Sequence, residues 1–217
     1  MSEPLGLFGG TFDPVHFGHL RLAEESIAHL GLGGVRWIPA GRPPHRGVPE
    51  VTGEQRLAMV SAAIAGNTRF SVDASEVMAA APSYTVHTLE RLRHELGADR
   101  ALVLLVGADA FAGLASWHRW RDIFSLAHLA VSHRPGFPVE SASLPAALAE
   151  EFEARRLSDI DSLKASPGGA IATFAMTQLA ISATQIRKLL ANQLSARYLL
   201  PDAVLDYIQT HSLYRNA

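Results

Sequence analysis

Apolar positions along the chain alternate between runs that suit strands and spacings that suit helices. Leu5-Gly6-Leu7-Phe8 is a short apolar run ended by Gly9-Gly10 and predicts a buried strand. Leu20, Ala23, Ile27 and Leu30 then recur at helical spacing, with Gly31 as a C-terminal stop. Val35-Arg36-Trp37-Ile38 before Pro39 predicts a second strand. This opening is a strand–helix–strand unit, whose parallel crossover is right-handed.

The alternation continues to the end. A helix is predicted from about Glu54 to Ala65, then a strand near Phe70 to Val72. The next helix runs from about Tyr84 to Leu96, with Leu89, Leu92 and Leu96 on one face. Ala101 to Val106 is uninterrupted and apolar, as a strand buried on both faces should be. Leu129-Ala130-Val131 and Ile171-Ala172-Thr173-Phe174 are shorter strands, and a helix is expected from about Leu144 to Leu163. Ser182 to Leu190 and Asp202 to Tyr207 close the chain as helices. Strands alternating with helices define an α/β protein with an open, doubly wound, mostly parallel sheet in three α/β/α layers. The turn formers of Gly41-Arg42-Pro43-Pro44-His45-Arg46-Gly47 mark a surface loop, where binding groups concentrate.

Composition narrows the class. The 217 residues are expected to form a single domain over the whole length. Folding at that length should bury roughly 70% of the unfolded surface. A formal charge of −2 gives no sign of a nucleic-acid or membrane partner, so an anionic ligand must be held by local groups. With no cysteine, disulfides, thiolate–zinc sites and thiol nucleophiles are excluded. No apolar run reaches the roughly 20 residues of a membrane helix. Met1-Ser2-Glu3-Pro4-Leu5 lacks the basic start and apolar stretch of a signal peptide, so a cytoplasmic location is expected. Homo-oligomerisation is left open.

The candidate chemistry begins where the first strand ends, since ligands of open α/β sheets sit beyond the strands' carboxyl ends. There stands Gly9-Gly10-Thr11-Phe12-Asp13-Pro14-Val15-His16-Phe17-Gly18-His19. The two glycines allow backbone N–H groups to approach an anion, and the following helix points its positive N-terminus the same way. Pro14 is expected to fix the start of that helix. His16 and His19, three apart, should place both rings on one side of its first turn and donate to phosphate oxygens. Gly18 between them leaves space for a base or ribose. A metal reading is weak, because no third ligand is adjacent and a helix N-terminus disfavours cations.

Near the other end stands Ile181-Ser182-Ala183-Thr184-Gln185-Ile186-Arg187. Ser182 with Gln185 three residues on is a capping-box pattern. The same residues also offer a helix N-terminus, two hydroxyls and the forked donors of Arg187 to one anion.

Both strings resemble motifs of the nucleotidyltransferase superfamily that carries a His-x-Gly-His signature. The first is similar to Gly-Gly-x-Phe-Asp-Pro-x-His-x-Gly-His at nearly every position, and the second to Ile-Ser-x-Thr-x-Ile-Arg. The resemblance implies a Rossmann-like fold in which His16, His19 and Arg187 are catalytic. It further implies ATP contacts from Gly9, Gly10, Thr11, Phe12, Gly18, Gly107, Asp109, Ser182 and Thr184. An acceptor phosphate would attack the α-phosphorus, pyrophosphate would leave, and Mg²⁺ would come with ATP. No covalent enzyme intermediate is implied, so catalysis is positioning and electrostatics.

The middle of the chain bears on the acceptor. Pro43-Pro44-His45-Arg46, Ala81-Pro82-Ser83-Tyr84-Thr85, Val106-Gly107-Ala108-Asp109, Trp117-His118 and the ending Leu213-Tyr214-Arg215 are similar to bacterial nicotinate-nucleotide adenylyltransferases. The stretch from about Pro138 to Ser166 is the least distinctive. Many relatives carry lysine where this chain has Arg46, which keeps the charge and alters its geometry. The mononucleotide-binding set implied is Pro44, His45, Arg46, Thr85, Trp117 and Arg134. Trp117 is either a stacking surface for a pyridine ring or an amphipathic core residue. Asp109 could accept from a ribose hydroxyl pair or cap a helix, and Arg134 could contact phosphate or simply lie at the surface. Thr85, at a helix start, could turn its backbone N–H to a pyridine carboxylate, which accepts where a carboxamide also needs an acceptor.

The expected reaction is transfer of AMP from ATP to nicotinic acid mononucleotide, in NAD biosynthesis. Its rivals are the same reaction preferring nicotinamide mononucleotide and an inactive nucleotide-binding regulator. A dinucleotide-using oxidoreductase fails, because no Gly-x-Gly-x-x-Gly follows the first strand.

Overall fold

The structure, a computed structural model, describes residues 3–43 and 47–215. Its elements, in chain order, begin with β1 (Leu5–Gly10), α1 (Phe17–Leu30), β2 (Gly34–Pro39), α2 (Gly53–Ile64) and β3 (Phe70–Val72). Next come α3 (Ser75–Met78), α4 (Thr85–Leu96), β4 (Leu102–Gly107), α5 (Ala108–Ala112), α6 (Ile123–Leu126) and β5 (His128–His133). The chain closes with α7 (Ala146–Arg155), β6 (Ile171–Ala175), α8 (Ala183–Ala191) and α9 (Asp202–Thr210).

The six strands form one sheet in the order β3-β2-β1-β4-β5-β6. β1 runs parallel to β4, β4 to β5 and β5 to β6, with Leu104 opposite Leu7 on one side and Leu129 on the other. The order reverses between β1 and β4, as in a doubly wound sheet, so the expected fold class is the observed one. Leu102, Val103, Leu104, Leu105 and Val106 are all buried, which is why β4 reads as an unbroken apolar run rather than an alternating one. Gly31 ends α1 in the left-handed conformation, φ +59°, where a Cβ would be strained.

Contacts divide the chain into two compact units. The first comprises Met1–Phe8, Leu22–Arg36 and Tyr84–Thr177. Its core is built by β4, β5 and β6 with Val86, Leu89 and Leu92 of α4, and with Phe111 against Phe152. The second comprises Gly9–Arg21, Trp37–Ser83 and Gln178–Ala217. There α2 packs on α9, burying Met59, Val60 and Ile64 with Val204, Leu205 and Ile208.

One expected element is broken. The helix expected from Leu144 to Leu163 is α7 followed by a separate 3-10 turn, Ile160–Lys164. Between them the backbone turns extended at Arg156, which bridges in parallel to Ile171, and the Leu157 N–H donates to the Ile171 carbonyl at 2.8 Å. Pairing along β6 therefore outcompetes helix continuation, and Asp159 caps the new turn through the Asp161 N–H at 3.1 Å. Helical periodicity could not reveal that competitor.

The second unit also buries a charge. Arg56 lies on the packed face of α2 and is 1% exposed. Its guanidinium donates to the Thr11 carbonyl at 2.7 Å and the Gly41 carbonyl at 3.1 Å, tying two loops together. Burial lowers its pKa, and the nearby Asp13 charge opposes that shift. Among the described residues no helix is long and apolar enough to cross a membrane. Replacing Arg56 with lysine should cost about 1–3 kcal/mol, because a lysine cannot span both carbonyls and leaves one buried acceptor unpaired. Urea unfolding followed by circular dichroism measures this loss.

Candidate active site

The glycines that end β1 have different jobs. Gly9 is exposed, and a Cβ added there would meet nothing within 4 Å. A Cβ on Gly10 would stand 2.8 Å from the Phe12 ring, so Gly10 makes room for protein rather than ligand. Phe12, at φ +51°, turns its buried ring edge-on to His19 at 5.1 Å and toward Trp37 at 5.3 Å. The side chain that orients His19 is thus already fixed within the loop. Thr11 is half-buried, with its carbonyl held by Arg56.

α1 starts at Phe17, three residues after Pro14, so Pro14 does not open the helix itself. His16 precedes the first turn and accepts there, its carbonyl taking the N–H groups of His19 at 2.9 Å and Leu20 at 3.2 Å. The His16 and His19 rings stack at 3.7 Å with 25° between their planes, so the expected pairing of imidazoles is present. The His16 backbone N–H donates to Nδ1 of His19 at 3.3 Å, which puts the proton of neutral His19 on Nε2. His16 is 6% exposed, its Nδ1 has no hydrogen-bond partner, and burial pushes its pKa down to about 4. It is therefore neutral near pH 7. The space expected over Gly18 is taken by His16: a Cβ there would stand 3.0 Å from His16 Nδ1.

The same added Cβ would lie 3.8 Å from the Ile181 carbonyl, so the two sequence motifs adjoin. Ser182 caps α8 by accepting from the Gln185 N–H at 3.2 Å, which is the serine half of the capping box expected from the sequence. Thr184 is exposed in the first turn. Arg187, half-buried one turn further on, is held on two sides. Its Nε donates to Glu50 Oε1 at 2.6 Å, and an Nη donates to the Asp13 carbonyl at 2.7 Å.

Asp13 joins these pieces. One carboxylate oxygen accepts from the Tyr214 hydroxyl at 2.6 Å, and the other accepts from the Glu50 N–H at 2.9 Å. Burial raises the Tyr214 pKa, and its bond to Asp13 adds to the shift, so the phenol stays protonated and donates. Asp13, Glu50, Arg56 and Tyr214 had no role expected from the sequence. One signal was available: Arg56 sits at helical spacing with Met59, Val60 and Ile64, a charge on an apolar face.

The first unit carries the remaining described candidates. Gly107 ends β4 with open space where a Cβ would be, and Asp109 is exposed in the first turn of α5. Asp109 is not that helix's cap, since Gly107 occupies the capping position. Thr85 begins α4, whose N-terminus has no side-chain cap and no acidic residue in its first turn. Trp117 is half-buried after the 3-10 turn Leu114–Ser116, its N–H on the Leu114 carbonyl at 2.9 Å. Arg134 is exposed after β5, in a turn closed by its own carbonyl and the Phe137 N–H at 3.0 Å. Pro44, His45 and Arg46 lie outside the described residues. An aromatic group that the sequence reading gave no role, Tyr84 with His118 at 4.6 Å and His87 with His118 at 5.5 Å, flanks the start of α4.

Known proteins resemble the chain over most or all of its length. Residues 7–189 match the cytidylyltransferase-like family. A protein of Dechloromonas aromatica named "Probable nicotinate-nucleotide adenylyltransferase" is 82% identical over 217 residues, all of both chains. A Pseudomonas paraeruginosa protein of the same name is 50% identical over 215 residues, 99% of each chain. The chain belongs to the cytidylyltransferase-like nucleotidyltransferases and, among them, to the nicotinate-nucleotide adenylyltransferase family. Among solved structures, the Plasmodium falciparum nicotinic acid mononucleotide adenylyltransferase complexed with NaAD superposes with a TM-score of 0.73, covering 98% of this chain and 97% of its own. At 13% identity that likeness shows the shared fold.

His16 should titrate far below an ordinary histidine, staying neutral until about pH 4 in the unliganded protein. The unfolded chain takes that proton near pH 6.5, so this group removes stability as pH falls from about 6.5 toward 4. Histidine side-chain NMR across that range reads the titration, and a His16 midpoint near 6.5 would contradict the burial argument.

Proposed function

We propose that this protein transfers AMP from ATP to nicotinic acid mononucleotide, giving nicotinic acid adenine dinucleotide and pyrophosphate, in the cytoplasm and within NAD biosynthesis. The observation that carries the reading is the stacked His16–His19 pair adjoining the α8 motif, in a chain 82% identical over its length to a relative of that name.

The residues suit positioning and charge stabilisation rather than covalent chemistry. His19, with Nδ1 occupied, presents Nε2–H as a donor, and such a donor is most effective where charge grows on the α-phosphate. His16, neutral and buried, backs that ring and gains a proton more readily once an anion is near. Gly9, Gly10, Thr11, Phe12 and Gly18 shape the loop, while Ser182, Thr184 and Arg187 offer hydroxyl and guanidinium donors to the triphosphate. The acceptor's phosphate oxygen attacks the α-phosphorus in line and pyrophosphate departs.

Mg²⁺ enters on the ATP phosphates in this reading. Such an ion would be held by substrate oxygens and water. When bound, it neutralises charge on the departing pyrophosphate.

For the acceptor, the start of α4 at Thr85 has no side-chain cap and no acidic residue in its first turn, so its leading N–H groups suit a carboxylate. Trp117 supplies a face for the pyridine ring and Arg134 a donor for phosphate, with Pro44, His45 and Arg46 as further mononucleotide candidates; Gly107 and Asp109 belong to ATP, Asp109 accepting from a ribose hydroxyl pair.

Replacing His19 with alanine should lower kcat by about 10² or more, as loss of a transition-state donor does. A pyrophosphate-release assay with ATP and each mononucleotide tests both halves of the proposal. The acid should give the higher kcat/KM; equal values would defeat the carboxylate argument, and an undiminished His19→Ala enzyme would remove His19 from the chemistry.

A further inference from the structure

We propose that Glu50 is an internal stand-in for a substrate phosphate, occupying Arg187 until the triphosphate displaces it and thereby setting the affinity for ATP. The inference rests on the ATP reading of the α8 motif and adds a residue that the reading does not contain.

Three observations carry it. The Glu50 carboxylate lies on Arg187 Nε at 2.6 Å, a charge-assisted contact of the kind a phosphate oxygen makes with a guanidinium. The Glu50 side chain is 53% exposed against 23% for Arg187, so the carboxylate, not the guanidinium, is the member that can swing into water. The two main-chain anchors are independent of that swing. Arg187 keeps its bond to the Asp13 carbonyl at 2.7 Å, and the Glu50 N–H keeps its bond to Asp13 Oδ2 at 2.9 Å. Arg187 thus stays aimed when the carboxylate leaves, and the carboxylate stays within reach to return.

A carboxylate that remained would face the incoming phosphates with like charge, so binding must dislodge it. Competition of this sort weakens the ligand by the strength of the contact it breaks. An exposed ion pair is weak, and its removal corresponds to about a two- to fivefold change in affinity. The expected direction separates this role from simple support. A residue that only braced Arg187 would lower affinity when changed, whereas a competitor raises it.

The test is calorimetric titration of the intact protein with ATP and Mg²⁺, without acceptor. Glu50→Gln should bind ATP about two- to fivefold more tightly than the unchanged protein. Glu54→Gln, which removes an exposed carboxylate held by Thr52 and its own backbone N–H in the first turn of α2, should bind within about 1.5-fold of it, as an exposed, screened charge contributes little. Unchanged or weaker binding by Glu50→Gln would overturn the proposal, and so would equal tightening by Glu54→Gln, which would reduce the effect to net charge. Pyrophosphate release by the unchanged protein reports separately on the reaction. If it binds ATP but releases none, the reaction reading fails while the Glu50 measurement still stands. If it releases pyrophosphate and Glu50→Gln does not tighten, only the stand-in fails.

Discussion

The buried carboxylate of Asp13 is the constraint on which the phosphate motifs depend. It is 6% exposed and lies three residues before His16, in a loop with no regular hydrogen-bond ladder of its own. A loop of that kind holds one shape only if its polar groups find partners elsewhere. Asp13 supplies them from three directions: Tyr214 near the end of the chain, the Glu50 backbone, and Arg187 through its own carbonyl. Arg56 offsets its charge from behind and holds the neighbouring Thr11 carbonyl. Removing any one partner would leave a buried polar group unpaired, so the arrangement is all or nothing.

That rigidity explains the condition of the histidines. Phe12, forced to positive φ, packs against Gly10 and presses on His19, while His16 lies over Gly18. Two glycines in the motif are therefore set by the packing of the loop's own aromatic rings. The cost is a buried imidazole with an unpartnered nitrogen at His16, and such stored cost is common where a site awaits a charged ligand. An anion arriving there would restore a partner and favour the proton that burial now disfavours.

The fold was largely legible because its signals are local. β4 reads as an unbroken apolar run since both its faces are covered, and α1 ends at a glycine because only φ +59° fits the turn. The Ser182 cap is legible for the same reason, since it spans three residues. The broken helix after Arg155 was hidden, because its cause is pairing with Ile171, a partner distant in sequence. Periodicity is blind to such competition.

At the site, the sequence by itself determined which groups exist: two imidazoles three residues apart, a serine cap, and an arginine one turn into α8. Those are fixed by helical spacing and by the side chains' own chemistry. Only the tertiary structure decided their condition. It made His16 neutral by burying it, aimed His19 by filling its Nδ1 with a backbone donor, and placed a carboxylate on Arg187. Protonation, tautomer and occupancy depend on what packs around a group. Here the loop before His16 is held by Arg56, Glu50 and Tyr214, which lie far from it along the chain and meet it only in the folded structure.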